Sequence, residues 1–169
     1  MDYKIIYSKR RTISITVKNG QIVVRAPFYT SKSVIANVVA AHKLWIEKAL
    51  EKEQAKNDRI TSLTDLDIEN LKKKSKQIIP DKVEKYSKIM NLKYSRVKIT
   101  DAKTRFGSCS SKGNLCFSCF LMLYPEEAID YVVVHELAHI KEMNHSAAFY
   151  KIIEAVLPDY KERVKLLKK

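Results

Sequence analysis

The 169-residue chain predicts an α+β fold. Three observations carry that reading. Strand-like alternation fills residues 3 to 26, long apolar stripes at helical spacing follow, and two further short strand patterns precede a helical C-terminal part. No internal repeat appears.

Tyr3–Tyr7 and Thr12–Val17 alternate apolar and polar residues, as half-buried strands do. Asn19-Gly20 separates Thr12–Val17 from Gln21–Arg25, a strong hairpin signal, and Pro27 closes the segment. One helix is expected from about Ser31 to Gln54, because Ile35, Val38, Val39, Trp45, Ile46, Ala49 and Leu50 share a face and Thr30 or Ser31 can cap it. The polar stretch Asn57–Leu66 reads as a hinge. It divides a β-hairpin and helix unit, residues 1–60, from a second part, residues 61–169, unless the two form one continuous fold. A second long helix is expected from about Asp67 to Met90. Its stripe is Ile68, Leu71, Ile79, Val83, Tyr86 and Met90, with a kink at Pro80 and its basic residues on the opposite face.

Val97–Thr100 and Asn114–Leu121 read as strands around a Ser- and Gly-rich loop, Thr104–Gly113. Pro125 then opens a helix with Glu126 and Glu127 in its first turn, where the helix dipole favours acids, running to about Glu142. Asn144 and Ser146 are capping residues for the next helix, which Pro158 ends. Asp159 with Glu162 resembles a capping box for a last one.

A hydrophobic content of 46% can fill a core, so wholesale disorder is not expected. No apolar run approaches a membrane span, so no membrane partner is expected. Lys9, Arg10 and Arg11 interrupt any signal-peptide core. With three cysteines and no export signal, the chain is expected to be cytoplasmic, without a disulfide framework. Charge is uneven. Between Leu71 and Arg105, ten Lys and two Arg face three acids, giving +9 of the chain's net +13. Such a field suits nucleic acid, nucleotides or acidic proteins; the alternative is a solvated lysine-rich helix face.

The most informative segment is His135-Glu136-Leu137-Ala138-His139. On a helix, residues four apart lie about 40° from each other on one face, so both imidazoles can reach a single tetrahedral Zn2+. Glu136, offset by one residue, can take a proton from a zinc-bound water whose pKa the metal lowers toward about 7. A catalytic zinc needs a third protein ligand, and His145, beyond the expected helix end, is the candidate for a site of one zinc per chain. That spacing equals the metzincin one, although Glu142 stands where metzincins place Gly. His42, alone in its helix, reads as structural or solvated.

Arg105-Phe-Gly-Ser-Cys-Ser110, Pro125, Ile129–His139, Asn144-His-Ser146, Phe149 and Pro158-Asp-Tyr160 together resemble the YgjP-like family of zinc metallopeptidases, relatives of SprT-like zincins. The resemblance implies a zincin core, a small antiparallel sheet plus an active-site helix, with zinc on His135, His139 and His145 and Glu136 as catalytic base. Phe106 stands in place of the family's Trp, and Cys116 and Ser118 in place of Asn.

A peptide or protein substrate is therefore expected, and Leu115–Leu121 is the strand it would pair with as a sheet edge. Arg105, Ser108, Ser110 and Lys112, in the preceding loop, are candidates to bind substrate, through an oxyanion or a phosphate. Cys116 and Cys119 have C-x-x-C spacing, but on an alternating strand their sulfurs face opposite ways. Two other functions fit the charge. One is metal-dependent hydrolysis of a nucleotide or other phosphoanhydride. The other is nucleic-acid binding through residues 71–105, with the zinc site incidental.

Overall fold

The computed structural model describes residues 1–18 and 20–167. The chain forms two compact units, Met1–Ser62 and Leu63–Lys169.

In the first unit, β1 (Tyr3–Ser8), β2 (Ser14–Lys18) and β3 (Gln21–Pro27) form a sheet in the order β1-β3-β2. β3 pairs antiparallel with β2, Ile15 opposite Val24, and parallel with β1, Ile5 opposite Val24. Of the expected turn pair, Asn19 lies outside the described residues. Gly20 has φ +70°, a left-handed value that glycine takes without a Cβ penalty. Alternation sends Ile22, Val24 and Ala26 inward, where they pack with Ile35, Val39 and Ile46.

Those last residues lie on two helices, α1 (Lys32–Ala41) and α2 (Lys43–Thr61), where a single helix was expected. The break is His42, whose ψ of 14° leaves the helical range and whose Nδ1–H donates to the Val38 carbonyl at 2.8 Å. The expected hinge is also shorter, because α2 continues to Thr61. Gln54 Nε2 donates to Asp58 Oδ1 at 2.8 Å, an i,i+4 bond that supports the polar turn.

The second unit begins with α3 (Asp65–Ile89). It starts two residues earlier than expected because Thr64 and Asp67 form a capping box. Pro80 sits inside α3 without ending it. The basic stretch is not one free face. Lys72 pairs with Asp101, Lys73 with Glu69 and Lys88 with Glu84, while Lys82 is held between Glu126 and Asp130.

β4 (Arg96–Thr100), β5 (Gly107–Cys109) and β6 (Asn114–Ser118) form a second sheet in the order β4-β6-β5. This order corrects two expectations. The supposed loop contains β5, antiparallel to β6. The supposed edge strand is central, since β6 also pairs with β4, so its backbone groups face partners on both sides and cannot take a substrate strand. The strand also stops at Ser118. Cys119–Leu123 is a 3-10 turn in which Cys119, Phe120, Leu121 and Met122 are all buried, which an alternating strand with one solvated face does not allow. Cys116 and Cys119 therefore do not share a strand, and all three cysteines are free.

α4 (Glu126–Ala138), α5 (Ala147–Val156) and α6 (Tyr160–Leu166) complete the unit. α4 is shorter than expected, because after Ala138 the backbone tightens into turns in which Ile140 N–H donates to Leu137 O and Lys141 N–H to Ala138 O. Asp159 does not cap α6 with its side chain; its carboxylate instead accepts from Arg163 Nε at 2.9 and 3.0 Å. Leu115 and Phe117 of β6 pack with Val133, Val134 and Leu137 of α4, Phe149 and Ile153 of α5, and Ile79 and Val83 of α3. This core fixes one side of α4 and leaves His135 and Glu136 directed at β5 and the α4–α5 turn. No described helix is long and apolar enough to cross a membrane.

Candidate metal centre

His135 and Glu136 lie in the last turn of α4, and His139 is the residue after it, still helical in backbone at φ −63° and ψ −17°. The i,i+4 stacking of His135 and His139 therefore survives the helix end, with ring centroids 5.0 Å apart. His145 comes from the turn before α5. Ser146 Oγ caps that helix by accepting from Phe149 N–H, which fixes where the turn delivers the imidazole.

The three side chains converge. His135 Nε2 and His145 Nε2 are 3.1 Å apart, and one ligand atom from each of the three histidines lies within 4.8 Å of the others. Two imidazole nitrogens on a tetrahedral zinc, at about 2.0–2.1 Å from the ion, sit roughly 3.4 Å apart. The donor set fits such an ion with small side-chain adjustments.

The second nitrogens of two rings are also engaged. His139 Nδ1–H donates to the Glu142 carbonyl at 3.1 Å, which leaves Nε2 with its lone pair free. The Tyr131 hydroxyl lies 3.2 Å from His135 Nδ1. Phe149, fully buried, packs against all three rings at centroid distances of 4.9, 4.5 and 4.8 Å. Sequence reasoning did not give Tyr131 or Phe149 a role in the site. Tyr131 was findable, since it stands four residues before His135 on the same helix face.

Electrostatics favour neutral imidazoles. Burial, then the neighbouring His139 and His145, pulls the His135 pKa down to about 4, and burial also lowers that of His139. A metal ligand must be deprotonated, so both rings are ready at neutral pH. Burial pushes the Glu136 carboxyl up to about 7, against the opposing pull of the Arg105 cation.

Glu136 faces β5. A Cβ at Gly107 would lie 2.6 Å from Glu136 Oε1 and 2.7 Å from Cγ, so the strand backbone passes at a distance only glycine permits. Cys109, two residues on and on the same strand face, has its thiol pKa raised by burial and then by the Glu136 charge. Gly107 was missed in the sequence because its proximity to α4 is a tertiary contact.

The four loop candidates separate. Arg105 is exposed and acts on Glu136 through its charge. Ser108 sits between Gly107 and Cys109, so strand alternation turns it to the other face. Ser110 Oγ holds the turn between β5 and β6, accepting from Asn114 N–H at 3.2 Å. Lys112 is exposed, and its carbonyl accepts from Ser95 Oγ at 2.5 Å.

A short sheet laid against a helix that presents a His-Glu-x-x-His segment, with a third histidine turning back to it, defines the zincin-like class of metallopeptidases. Residues 61–169 match the YgjP-like metallopeptidase domain, and the chain belongs to that family. Among solved structures, the metallopeptidase zymogen abylysin of Pyrococcus abyssi is 27% identical, over 53% of this chain and 91% of its own, with a TM-score of 0.49. The metallopeptidase zymogen jannalysin of Methanocaldococcus jannaschii is 24% identical, over 53% of this chain and 94% of its own, with a TM-score of 0.47. Among curated proteins, none matches the chain.

Proposed function

We propose that the chain is a zinc-dependent peptidase in which His135, His139 and His145 hold one Zn2+ and Glu136 is the general base. The observation that carries this reading is the convergence of the three imidazoles beside a buried carboxylate that is itself not a ligand. When bound, zinc supplies Lewis acidity, polarising a carbonyl and lowering the pKa of a water toward about 7. Glu136 accepts the proton of the attacking water and returns it to the leaving amine. A carboxyl held near pH 7 by burial suits both directions of that transfer. Tyr131 and the Glu142 carbonyl orient the His135 and His139 rings. Arg105 adds positive charge beside the carboxylate and limits how far burial raises its pKa.

An extended peptide would pair with β5, which has β6 on one side only. Its scissile carbonyl would then lie beside Glu136, because the close approach of Gly107 brings the strand backbone to that carboxylate. Arg105 apart, the basic residues of 71–105 have no part in this reading.

The test is metal content of protein purified without a His tag, together with cleavage of an unstructured protein. Wild type is expected to hold about one zinc per chain, and His145→Ala to hold it weakly. Glu136→Gln should keep the metal and lose cleavage by at least about a hundredfold. Cleavage by Glu136→Gln at the wild-type rate would refute the base assignment, and absence of zinc after metal addition would refute the centre.

A further inference from the structure

The first unit carries a second feature that the metal centre does not explain. β2 is an edge strand, and the face it shares with the helices opens into a groove of about 280 Å³ lined by Ile13, Ile15, Val38, His42 and Trp45. Trp45, the chain's only tryptophan, is 51% exposed there. Alternate residues of an antiparallel edge direct their N–H and C=O groups away from the partner strand, so β2 offers backbone pairing beside an uncovered apolar trough.

The charge along this edge is mostly positive, although Glu53 of α2 reaches the β2–β3 turn, where its carboxylate accepts from Gly20 N–H at 3.1 Å. From Tyr3 to Ile46 the sequence contains eight Lys and Arg and no Asp or Glu. On the sheet face away from the helices, Arg25 stands opposite Ser14 of β2. Arg10 Nη1 donates to Ser14 Oγ at 2.9 Å. Among the described residues, Arg10 Nε is the one buried side-chain nitrogen or oxygen without a hydrogen-bond partner. Arg10, through its bond to Ser14, and Arg25, opposite Ser14, bring two guanidinium cations to this side of the sheet, where a carboxylate can pair with them.

We propose that β2 recruits an extended acidic segment of a partner protein by strand addition. In an added strand, alternate side chains point to opposite faces. Apolar residues would cover Ile13, Ile15 and Trp45, while acidic residues between them would meet Arg10 and Arg25 on the other face. A second copy of this chain is disfavoured, since pairing β2 with β2 would bring the arginines of both copies together. A nucleic acid would satisfy the cations but offers neither strand-pairing backbone nor aliphatic side chains for the groove. The inference is independent of the metal centre.

Trp45 emission of the full chain reads the event directly. The probe is a nine-residue capped peptide alternating Glu and Val. It should change Trp45 emission saturably, and a Lys/Val peptide of the same pattern should not. N-methylation of all Val residues or of all Glu residues removes one set of donors. One of the two N-methylated peptides should bind at least tenfold more weakly than the other, because only one set faces β2. Arg10→Gln should weaken the Glu/Val peptide at least fivefold with the far-UV circular dichroism unchanged, and Arg25→Gln serves if Arg10→Gln does not fold. The proposal is overturned by any of four results: no saturation, equal response to the Lys/Val peptide, equal effects of the two N-methylations, or unaltered affinity in the arginine variant. Self-association that shields Trp45 would overturn it in favour of a second copy. A stronger response to a single-stranded oligonucleotide than to the peptide would overturn it in favour of nucleic acid.

Discussion

Gly107 and Glu136 occupy one another's van der Waals limit: a methyl group on Gly107 would stand 2.6 Å from Oε1 and 2.8 Å from Cδ of Glu136. The carboxylate is buried among core residues of α4, so it cannot swing into solvent to make room. Gly107→Ala must therefore displace the carboxylate or β5. The expected outcome is loss of cleavage by roughly 10²-fold, with zinc content unchanged and stability lower by about 1–3 kcal/mol. Steady-state kinetics, metal analysis and urea unfolding of the one variant check all three.

Tyr131 reaches His135 Nδ1 from the preceding helical turn, at 3.2 Å. Groups that orient a ligand ring typically tune metal affinity by about 10- to 100-fold when removed. Tyr131→Phe keeps the ring packing and removes only the hydroxyl, so zinc affinity should fall within that range while the melting temperature of the metal-free protein changes little. Competition with a chromophoric chelator measures the first, and calorimetry the second.

Acid should act on the metal-free centre through opposed shifts, the largest being those of His135 and Glu136, with His139 lowered in the same direction as His135. The folded-state pKa of His135 is depressed from 6.5 to about 4, so the unfolded chain takes up that proton more readily, and stability falls as pH drops through this window. The Glu136 pKa is raised from 4.5 to about 7, so the folded chain holds its proton more tightly, and stability rises as pH drops from 7 to 4.5. The slopes oppose each other between 4.5 and 6.5. Glu136→Gln removes one of them. Its unfolding free energy, from urea titration, should decline between pH 6.5 and 4.5 by on the order of 2–3 kcal/mol, whereas wild type should change less. Equal pH profiles for the two metal-free proteins would contradict the assignment of these two groups.

The parts of the site that were legible in the sequence are local. His135, Glu136 and His139 are related by helix geometry alone, and the distance along the chain to His145 is short enough for a single turn. Gly107 could not be read, because β5 is brought against α4 by tertiary packing, in which its partner strand β6 sets Leu115 and Phe117 against Val133, Val134 and Leu137. Alternation marks Asn114–Leu121 as strand but does not say which neighbours a strand has, so the expectation of an edge at Leu115–Leu121 fails where β6 is the centre of its sheet. The parallel pairing of β1 with β3 escaped for the same reason. The break at His42 was hidden because Ile35, Val39 and Ile46 keep helical spacing across it.

The base of α4 is fixed by charge where its C-terminal end is fixed by apolar packing. Lys82 Nζ lies 2.6 Å from both Glu126 and Asp130, and Arg163 approaches Asp130 at 3.6 Å. Burial alone would lower the Lys82 pKa, but its hydrogen bonds to Asp130 and Glu126 reverse that, so the ammonium is retained. The Tyr86 pKa is pushed up to about 12 by burial and then by the Asp130 charge and hydrogen bond. Asp130 thus serves three neighbours. Asp130→Ala would leave Lys82, whose side chain is only 12% exposed, without its buried partner. The expected cost is about 3 kcal/mol, the usual penalty for orphaning one member of a buried pair. Replacing both charges, Lys82→Met with Asp130→Leu, should recover most of that loss if desolvated charge is the cause. Urea midpoints of the single and double variants decide the matter. A double variant as unstable as Asp130→Ala would mean that Asp130 acts chiefly through Arg163 and Tyr86 instead of Lys82.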